Sequence, residues 1–281
     1  MMGRAQRSLV TVPGTEVRHL HSDIVNQDFE PCVKLPWRYD RNDATYPVLF
    51  SLDGNRSFPL HSTMSLILET PGTGAQEVVV VGIGYRVDND RIRGLADWAV
   101  WRTRDLTPER NTEVEQHWIE RLSSLLGVED MAIQTGGASA LLEFMRRELV
   151  PFVEANYGVS FTDRALAGFS YGGLFTLYGL LHAPETFTRY YAGSPSMWDQ
   201  LSEYEEACAA THDDLEARVF ITPGDLEFVE SLERVQKMVD RLRSREYPGL
   251  QLDTCVFAGE EHSSGYAAGV SRALRVLYGE E

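Results

Sequence analysis

The sequence predicts an α/β fold with a mostly parallel central sheet and helices on both faces. Two unbroken apolar runs, 47–52 and 78–84, have the length and composition of strands buried on both sides. Strand-like runs then alternate with longer helical patterns along most of the chain. This alternation indicates βαβ crossovers, in which helices packed on the sheet join parallel strands.

Seven strands and six helices account for the pattern. The strands are predicted at 29–35, 47–52, 78–84, 164–169, 189–192, 218–222 and 252–257. The helices are predicted at 61–69, 107–126, 138–157, 171–182, 228–245 and 265–278. Pro36 ends the first strand, and Asp53 with Gly54 forms a turn after the second. Thr107 followed by Pro108 is typical of a helix N-cap with proline at the first helical position.

The chain is predicted to form one domain over residues 1–281, with an inserted helical flap at about 109–135. No internal repeat and no linker rich in proline, glycine or serine divides the sequence. The flap region interrupts the strand–helix alternation and carries many acidic residues. We therefore expect a helical excursion from the sheet rather than a second domain.

Charge and cysteine content exclude several classes of function. The chain has 281 residues and a formal net charge of −16, which argues against nucleic-acid and membrane-surface partners because both need positive surface. Its three cysteines are widely spaced, so neither a disulfide framework nor a zinc finger is indicated. No run approaches the roughly 18 apolar residues of a membrane span, and no secretory signal is recognisable. The expected location is the cytoplasm, and the oligomeric state is open.

One pentapeptide has the G-x-S-x-G pattern of a nucleophile elbow: Gly168, Phe169, Ser170, Tyr171 and Gly172. It lies where a predicted strand meets a predicted helix, which is the context that the motif requires. The small residues at 168 and 172 would let the two elements pack closely around the turn. Ser170 is therefore the predicted nucleophile.

A serine hydroxyl needs a base within hydrogen-bond reach, and in this type of site the acid and then the histidine follow the serine along the chain. Only His212 and His262 lie beyond the nucleophile's own helix. His262 comes between the last predicted strand and the last helix, so it is the predicted base. The acid should follow the strand 218–222, where Glu227 is favoured and Asp225 is the alternative. A Ser–His dyad without a third group also stays open.

The oxyanion hole is predicted to consist of two backbone N–H groups. Tyr171, the residue after the nucleophile, should supply the first. The second is expected from the loop after the strand 47–52, at Gly54 or Asn55.

These motifs together resemble the putative-esterase branch of the α/β-hydrolases, which includes ferric-enterobactin and ferric-bacillibactin trilactone esterases. Matching pieces include L-D-G-N at 52–55, R-D-L-T-P at 104–108, S-P-S-M-W at 194–198 and E-H-S at 261–263. The resemblance spans about residues 19–278 and implies an α/β-hydrolase fold, a nucleophile at Ser170, a base at His262 and no metal or other cofactor. It leaves the substrate open, because the same broad family holds formylglutathione hydrolases, feruloyl and acetyl-xylan esterases and mycolyl transferases.

Arginine and tryptophan residues concentrate after the strand 78–84, in a stretch predicted to be a loop at the ligand edge of the sheet. The predicted substrate-binding residues are Arg86, Arg102, Arg104 and Trp198. Guanidinium and indole groups suit an anionic, aromatic substrate through charge pairing and stacking. Alternatively, the arginines pair with nearby aspartates and brace the loop, Arg104 with Asp105 first among them, and Trp198 lies in the core.

The sequence thus predicts a serine ester hydrolase that acts through an acyl-enzyme on a small-molecule ester. Two alternatives from other classes stay open. An acyltransferase would pass the same acyl group to an alcohol or amine instead of water. A non-catalytic ligand-binding protein would keep the fold without turnover, because fold alone does not establish function.

Overall fold

A mixed sheet forms the centre of the chain in the computed structural model, which describes residues 11–41, 44–70 and 74–279. The strands in these ranges are β1 (Thr15–Val17), β2 (Leu20–Ser22), β3 (Gln27–Phe29), β4 (Cys32–Lys34), β5 (Tyr46–Ser51), β6 (Val79–Gly82), β7 (Val159–Phe169), β8 (Arg189–Gly193), β9 (Ala217–Thr222) and β10 (Leu250–Thr254). Eight of them lie in the order β1-β4-β6-β5-β7-β8-β9-β10, and β2 pairs with β3 in a separate ribbon.

The sheet is mostly parallel. β4 is antiparallel to both of its neighbours, β1 and β6, whereas every neighbouring pair from β6 to β10 is parallel. In this register Ser51 pairs with both Gly82 and Ala167. The carboxyl ends of β5, β6 and β7 therefore meet at one edge, where sheets of this kind bind ligands.

Helices cover the sheet. Within the described ranges they are α1 (Gly54–Leu68), α2 (Arg91–Asp105), α3 (Thr112–Leu126), α4 (Ala138–Phe144), α5 (Val150–Asn156), α6 (Tyr171–His182), α7 (Gln200–Ala209), α8 (Val229–Ser244) and α9 (Gly265–Tyr278). A π-helical turn, Met145–Leu149, joins α4 to α5. The turn accommodates Pro151, which has no N–H for a regular helical hydrogen bond.

Side chains along the central strands alternate between two apolar cores. On β5, Val48 and Phe50 belong to one core and Leu49 to the other. The first core includes Phe175 of α6, and the second includes Val270 of α9. The sheet is thus buried on both faces, which explains its unbroken apolar strands. The predicted α/β-hydrolase fold is confirmed.

The stretch 86–104 was predicted to be a loop, and this prediction is wrong. Most of it forms α2, whose N-terminus is capped by Asp90. The Oδ1 atom of Asp90 accepts hydrogen bonds from the N–H groups of Ile92 and Arg93 at 3.0 and 2.9 Å. The many charged residues leave this segment without a clear apolar stripe, so its sequence does not look helical. The helix is stabilised by the Asp90 cap and by packing.

The helix predicted to have its N-cap at Thr107 is capped four residues later. Asn111 caps α3, and its Oδ1 accepts hydrogen bonds from the N–H groups of Glu113 and Val114, both at 3.1 Å. The Thr107 hydroxyl instead donates to the Thr103 carbonyl at the end of α2, at 2.7 Å. Thr107 therefore closes one helix instead of opening the next.

A third apolar cluster, separate from the two sheet cores, joins α2 to α3. Its buried members are Ala96, Ala99, Leu122, Met131 and Ile133. The cluster includes part of the segment 109–135 and shows that this segment packs against α2. One domain with an inserted flap stays a prediction.

Gly168 lies where β7 turns into α6. A Cβ atom at this position would lie 2.2 Å from the carbonyl oxygen of Gly172, whereas a Cβ atom at Gly172 would meet nothing closer than Asp53 Oδ2, at 3.5 Å. The close approach predicted for both glycines therefore holds at 168 and not at 172.

We expect Gly168→Ala to lower the free energy of unfolding by about 3 kcal/mol, the upper end of overpacking costs, because the clashing atom is backbone and cannot rotate away. Gly172→Ala should be neutral or slightly stabilising, since alanine is the better helix former. Urea denaturation of both variants measures the difference. Equal losses in the two would contradict the role given to Gly168.

A buried histidine, His61, lies on the inner side of α1 and faces the carboxyl end of β5. His61 Nδ1 is 3.0 Å from Ser51 Oγ and 3.2 Å from the Ser57 carbonyl oxygen. Its Nε2 atom is buried without a hydrogen-bond partner among the described residues. Burial lowers the pKa of His61 to about 4, although the Ser57 carbonyl acts in the opposite direction.

This burial predicts a loss of stability in mild acid. Between pH 6.5 and 4, His61 is protonated in the unfolded chain but stays neutral in the folded chain. The free energy of unfolding therefore falls as the pH falls through this window. A shift of this size corresponds to about 3 kcal/mol. Denaturation of wild type and His61→Gln at pH 7, 5.5 and 4.5 tests it: the variant should show a flatter pH dependence, and identical slopes would refute it.

Candidate active site

Ser170 occupies a strained turn between β7 and α6. Its φ and ψ are 60° and −116°, a conformation that non-glycine residues rarely adopt. The Ser170 N–H donates to the Gly193 carbonyl at 2.9 Å, and the Ser170 carbonyl accepts from the N–H groups of Leu174 and Ser196, both at 3.0 Å. Backbone bonds thus hold the turn, while the hydroxyl lies 3.4 Å from Ser196 Oγ.

His262 and Glu227 form the second part of the site. The distance from His262 Nδ1 to Glu227 Oε2 is 3.0 Å. The other carboxylate oxygen, Oε1, accepts the Gly224 N–H at 2.8 Å. The Glu227 side chain is 7% exposed and the His262 side chain is 47% exposed. The carboxylate is therefore buried, whereas the imidazole is accessible to solvent.

The environment of Glu227 favours its charged form. Burial raises the pKa of this carboxyl, but hydrogen bonds from His262, from the Gly224 N–H and from the Ser194 hydroxyl outweigh burial and lower the pKa below its usual value. An ionised carboxylate on Nδ1 fixes the imidazole tautomer that leaves Nε2 free to accept a proton.

Asp225, the alternative acid, has a different partner. Its Oδ1 accepts the Gly259 N–H at 2.7 Å, and its own N–H donates to the Phe257 carbonyl at 3.0 Å. Asp225 therefore ties the loop that carries His262 to the end of β9. Of the two candidate acids, the structure brings Glu227 to the imidazole.

Aromatic packing places His262 beside the serine turn. Its ring centroid lies 5.1 Å from that of Phe169, the residue before Ser170, and Phe169 packs in turn on Tyr266 at 4.4 Å. No hydrogen bond joins Ser170 Oγ to the imidazole among the described residues. Unliganded sites commonly close this contact only when substrate binds.

Two backbone N–H groups near Ser170 have no hydrogen-bond partner within the described part of the chain. One belongs to Tyr171, at the N-terminus of α6. The other belongs to Asp53, which precedes α1 with φ 57° and ψ 37°. Asp53 lies against the start of α6, because its Oδ2 would be 3.5 Å from a Cβ atom on Gly172.

Gly54 cannot be the second oxyanion donor, which corrects one of the two predicted positions. Its N–H donates to the Ile83 carbonyl at 2.8 Å and so is already used. Asn55, the other predicted position, has its side chain engaged with the backbone of Tyr85. Its Nδ2 donates to the Tyr85 carbonyl at 2.8 Å, and its Oδ1 accepts the Tyr85 N–H at 2.7 Å. Asn55 thereby fixes the loop after β6.

Arg102 and Arg104 were predicted to bind substrate, and the structure pairs both with aspartates instead. Arg102 Nε and Nη2 donate to the two carboxylate oxygens of Asp53 at 2.7 and 2.9 Å. Arg104 makes the same bidentate contact, with its Nε and Nη2 donating to the two carboxylate oxygens of Asp105 at 2.6 and 3.0 Å. Because Asp53 lies 49 positions away in sequence, only the Arg104 pair was foreseeable.

Arg86 and Trp198 differ from these paired arginines. The Arg86 side chain is 64% exposed and has only long contacts, 3.8 Å to Asp28 and 4.0 Å to Glu30. Trp198 is half-buried, packs against the main core and meets the Tyr171 ring edge-on at 6.5 Å. Arg86 therefore has no close ionic partner among the described residues, and Trp198 contacts both the main core and the Tyr171 ring.

Sequence reasoning missed Trp118, which connects α3 to the site. Its Nε1 donates to the Tyr171 hydroxyl at 2.8 Å, and the two rings meet edge-on at 6.2 Å. Asp53 was also missed, because a turn aspartate gives no sign that its own N–H is left unpaired. The contact of Trp118 with Tyr171 joins segments 53 positions apart, so nothing in the local sequence of 109–135 indicates it.

The described residues contain no group of three or more His, Cys, Asp or Glu side chains able to hold a metal ion. Among the helices of the same ranges, none has the length and apolar character needed to cross a membrane.

A strained serine beside a histidine–glutamate pair, at the carboxyl edge of this sheet, is the arrangement of the serine hydrolases, and here the bond hydrolysed is that of a carboxylic ester. The chain belongs to the putative esterase family, which it matches over residues 109–275. The resemblance noted from the motifs is confirmed.

Similar proteins cover almost the entire chain. Ferri-bacillibactin esterase BesA of Bacillus subtilis strain 168 is 30% identical over 94% of this chain and 90% of its own length. Siderophore triacetylfusarinine C esterase of Aspergillus fumigatus is 24% identical over 96% of this chain and 94% of its own. The crystal structure of BES protein from Bacillus cereus has a TM-score of 0.79 at 23% identity and covers 98% of this chain and 99% of that one. The last comparison shows the shared fold.

Proposed function

We propose that this enzyme hydrolyses an ester or lactone bond of a siderophore-like substrate through an acyl-enzyme on Ser170. One observation carries the mechanism: the Glu227–His262 pair lies beside the strained serine turn, with two unpaired N–H groups nearby. The names of the two relatives, both siderophore esterases, support the substrate class.

In the acylation step, Ser170 Oγ attacks the ester carbonyl carbon while His262 takes the hydroxyl proton. The carbonyl electron pair moves to oxygen, and the N–H groups of Tyr171 and Asp53 receive the resulting negative charge. Collapse of this intermediate breaks the bond to the alcohol oxygen, which takes the proton from His262. Glu227 holds the imidazole and stabilises its cationic form.

Deacylation repeats these steps with water. His262 removes a proton from the water as its oxygen attacks the acyl carbon, and the proton then returns to Ser170 Oγ as the acyl–serine bond breaks. The products are the carboxylic acid and the free enzyme. No metal or cofactor takes part in this scheme.

The surroundings of the site suit an anionic aromatic ligand despite the net charge of the chain. A cleft of about 250 Å³ beside the oxyanion loop is lined by Asn55, Arg56 and Trp98, among others. The Arg56 guanidinium lies 4.8 Å from the Trp98 ring centroid. Asp88 and Asp90 also line the cleft, but their carboxylates accept backbone N–H groups at the start of α2. Arg56 and Arg91 of the cleft lining offer guanidinium groups to an anionic ligand.

We also propose that α3 acts as a flap beside Ser170 and Tyr171. The contact from Trp118 to Tyr171 joins this helix directly to the residue after the nucleophile. A bulky substrate entering from that side must pass the Trp118 ring. The lack of nucleic-acid partners and a cytoplasmic location stay predictions from composition.

Mass-spectrometric hydrolysis assays on a ferric catecholate trilactone and on p-nitrophenyl butyrate test this function, with Ser170→Ala as the control. We expect wild type to open the trilactone and the variant to leave it intact. Cleavage of the small ester alone would overturn the siderophore assignment and keep the esterase. An excess of acceptor alcohol in the same assay detects acyl transfer as a new ester product.

A further inference from the structure

Asp53 has an unusual conformation for a residue that precedes a helix. An aspartate at an N-cap normally has extended backbone angles, and its carboxylate accepts N–H groups of the first helical turn. Asp53 instead has left-handed angles, φ 57° and ψ 37°, and makes no side-chain cap. The N–H groups of Arg56 and Ser57 bond to the Asp53 carbonyl oxygen at 2.8 and 2.9 Å. Something other than the helix must hold the Asp53 side chain.

Arg102 supplies that restraint from α2. Its guanidinium binds both carboxylate oxygens of Asp53, and the two side chains are only 10% and 12% exposed. A bidentate arginine–carboxylate pair fixes the orientation of the carboxylate plane as well as its distance from the guanidinium. Rotation of Asp53 back to a capping conformation would break both bonds.

The same guanidinium also touches the other predicted donor residue. The Arg102 Cζ atom lies 5.3 Å from the Tyr171 ring centroid and 4.9 Å from that of Trp98. One cation therefore contacts both residues whose N–H groups face the reacting carbonyl in our scheme. Its charge is already balanced by Asp53, so it has little left for an anionic substrate.

We infer that Arg102 is a positioning residue that sets the two N–H groups of the oxyanion hole through Asp53 and Tyr171. This inference rests on the proposed acyl-enzyme function. Arg102 acts on the transition state without touching it, because its pair with the Asp53 carboxylate keeps Asp53 in the left-handed conformation. Loss of the pair frees Asp53 to cap α1 and removes one donor.

The test compares Arg102→Lys with Arg189→Lys. Arg189 makes an equivalent pair with Asp163, at 2.6 and 2.8 Å, beneath the Tyr278 ring and at the opposite end of the sheet. For p-nitrophenyl butyrate we expect Arg102→Lys to lower kcat about 100-fold, the usual effect of losing one oxyanion donor, with KM changed less than about threefold. Arg189→Lys should keep the wild-type kcat.

A trifluoromethyl ketone gives a second readout, because its serine adduct carries an oxyanion that needs the same donors. Its affinity should fall in Arg102→Lys by the same factor as kcat, and a merely structural role would not couple the two. Asp53→Asn, which also breaks the pair, should lower kcat similarly, and the double variant should be no worse than either single one. Asp53→Asn also serves if Arg102→Lys does not fold.

Three results would overturn the inference: a kcat for Arg102→Lys within threefold of the Arg189→Lys value, a change confined to KM, or additive losses in the double variant. A failure of the proposed function has a different signature, since Ser170→Ala would then retain activity. The two failures are therefore distinguishable in one set of proteins.

Discussion

Ser170→Ala should lower kcat for ester hydrolysis by on the order of 10³-fold or more, because the acyl-enzyme cannot form without the hydroxyl. The fold should be preserved. The Ser170 side chain has only a long contact with Ser196, and the turn is held by backbone hydrogen bonds that alanine keeps. Steady-state kinetics and a thermal melt of the same preparation measure both effects.

A fluorophosphonate probe provides the matched control. It should label wild type on Ser170, as located by peptide mass spectrometry, and leave the variant unlabelled. Ser196→Ala removes the neighbouring hydroxyl and should keep both labelling and turnover within about tenfold. Full activity in Ser170→Ala would refute the mechanism outright.

Glu227→Gln should lower kcat by on the order of 10³- to 10⁴-fold, as expected when the acid of a triad is made neutral. Glutamine can still fill the space, but its amide does not stabilise the imidazolium and favours the wrong tautomer. Asp225→Asn is the matched control, because Asp225 bonds to the Gly259 N–H and not to the imidazole. Its kcat should stay within about tenfold of wild type. Comparable losses in the two variants would remove the assignment of Glu227.

The free energy of unfolding of wild type and that of Glu227→Gln should differ by an amount that depends on pH. The pKa of Glu227 is lowered in the folded chain, so its ionised form contributes stability above the ordinary carboxyl pKa of 4.5. That contribution is lost as the pH falls through the lowered value. The stability difference between wild type and Glu227→Gln should therefore be full at pH 7 and shrink in strong acid.

The sequence was sufficient for the parallel strands of the sheet and for most of the helices between them, although it predicted neither α2 nor α7. Long apolar strands such as β5 and β6 are legible because both faces are buried. Ser170 and His262 could be placed because each follows a predicted strand at the same edge of the sheet. The acid was left open between Glu227 and Asp225, since the choice depends on how the loop around Gly259 meets the end of β9.

What sequence reasoning missed depends on contacts between distant segments. Arg102 looked like a ligand for substrate, yet its partner Asp53 comes from another loop. We propose Asp53 in place of Gly54 as the second oxyanion donor, because the Ile83 carbonyl, just after the neighbouring strand β6, accepts the Gly54 N–H. Trp118 meets Tyr171 across 53 positions. Contacts between residues so far apart leave no recognisable pattern in the sequence around either residue.

The two residues that we propose as nucleophile and base differ in their position in the sheet. Ser170 follows β7, inside the sheet, whereas His262 follows β10, the outermost strand on that side, whose side chains are mostly exposed. Outer strands open at lower free energy than central ones. Fraying of β10 would separate the His262 imidazole from Ser170 while the central strands stay paired. We therefore expect inactivation to precede global unfolding on heating, so that residual activity reports on the outer strand and not on the core.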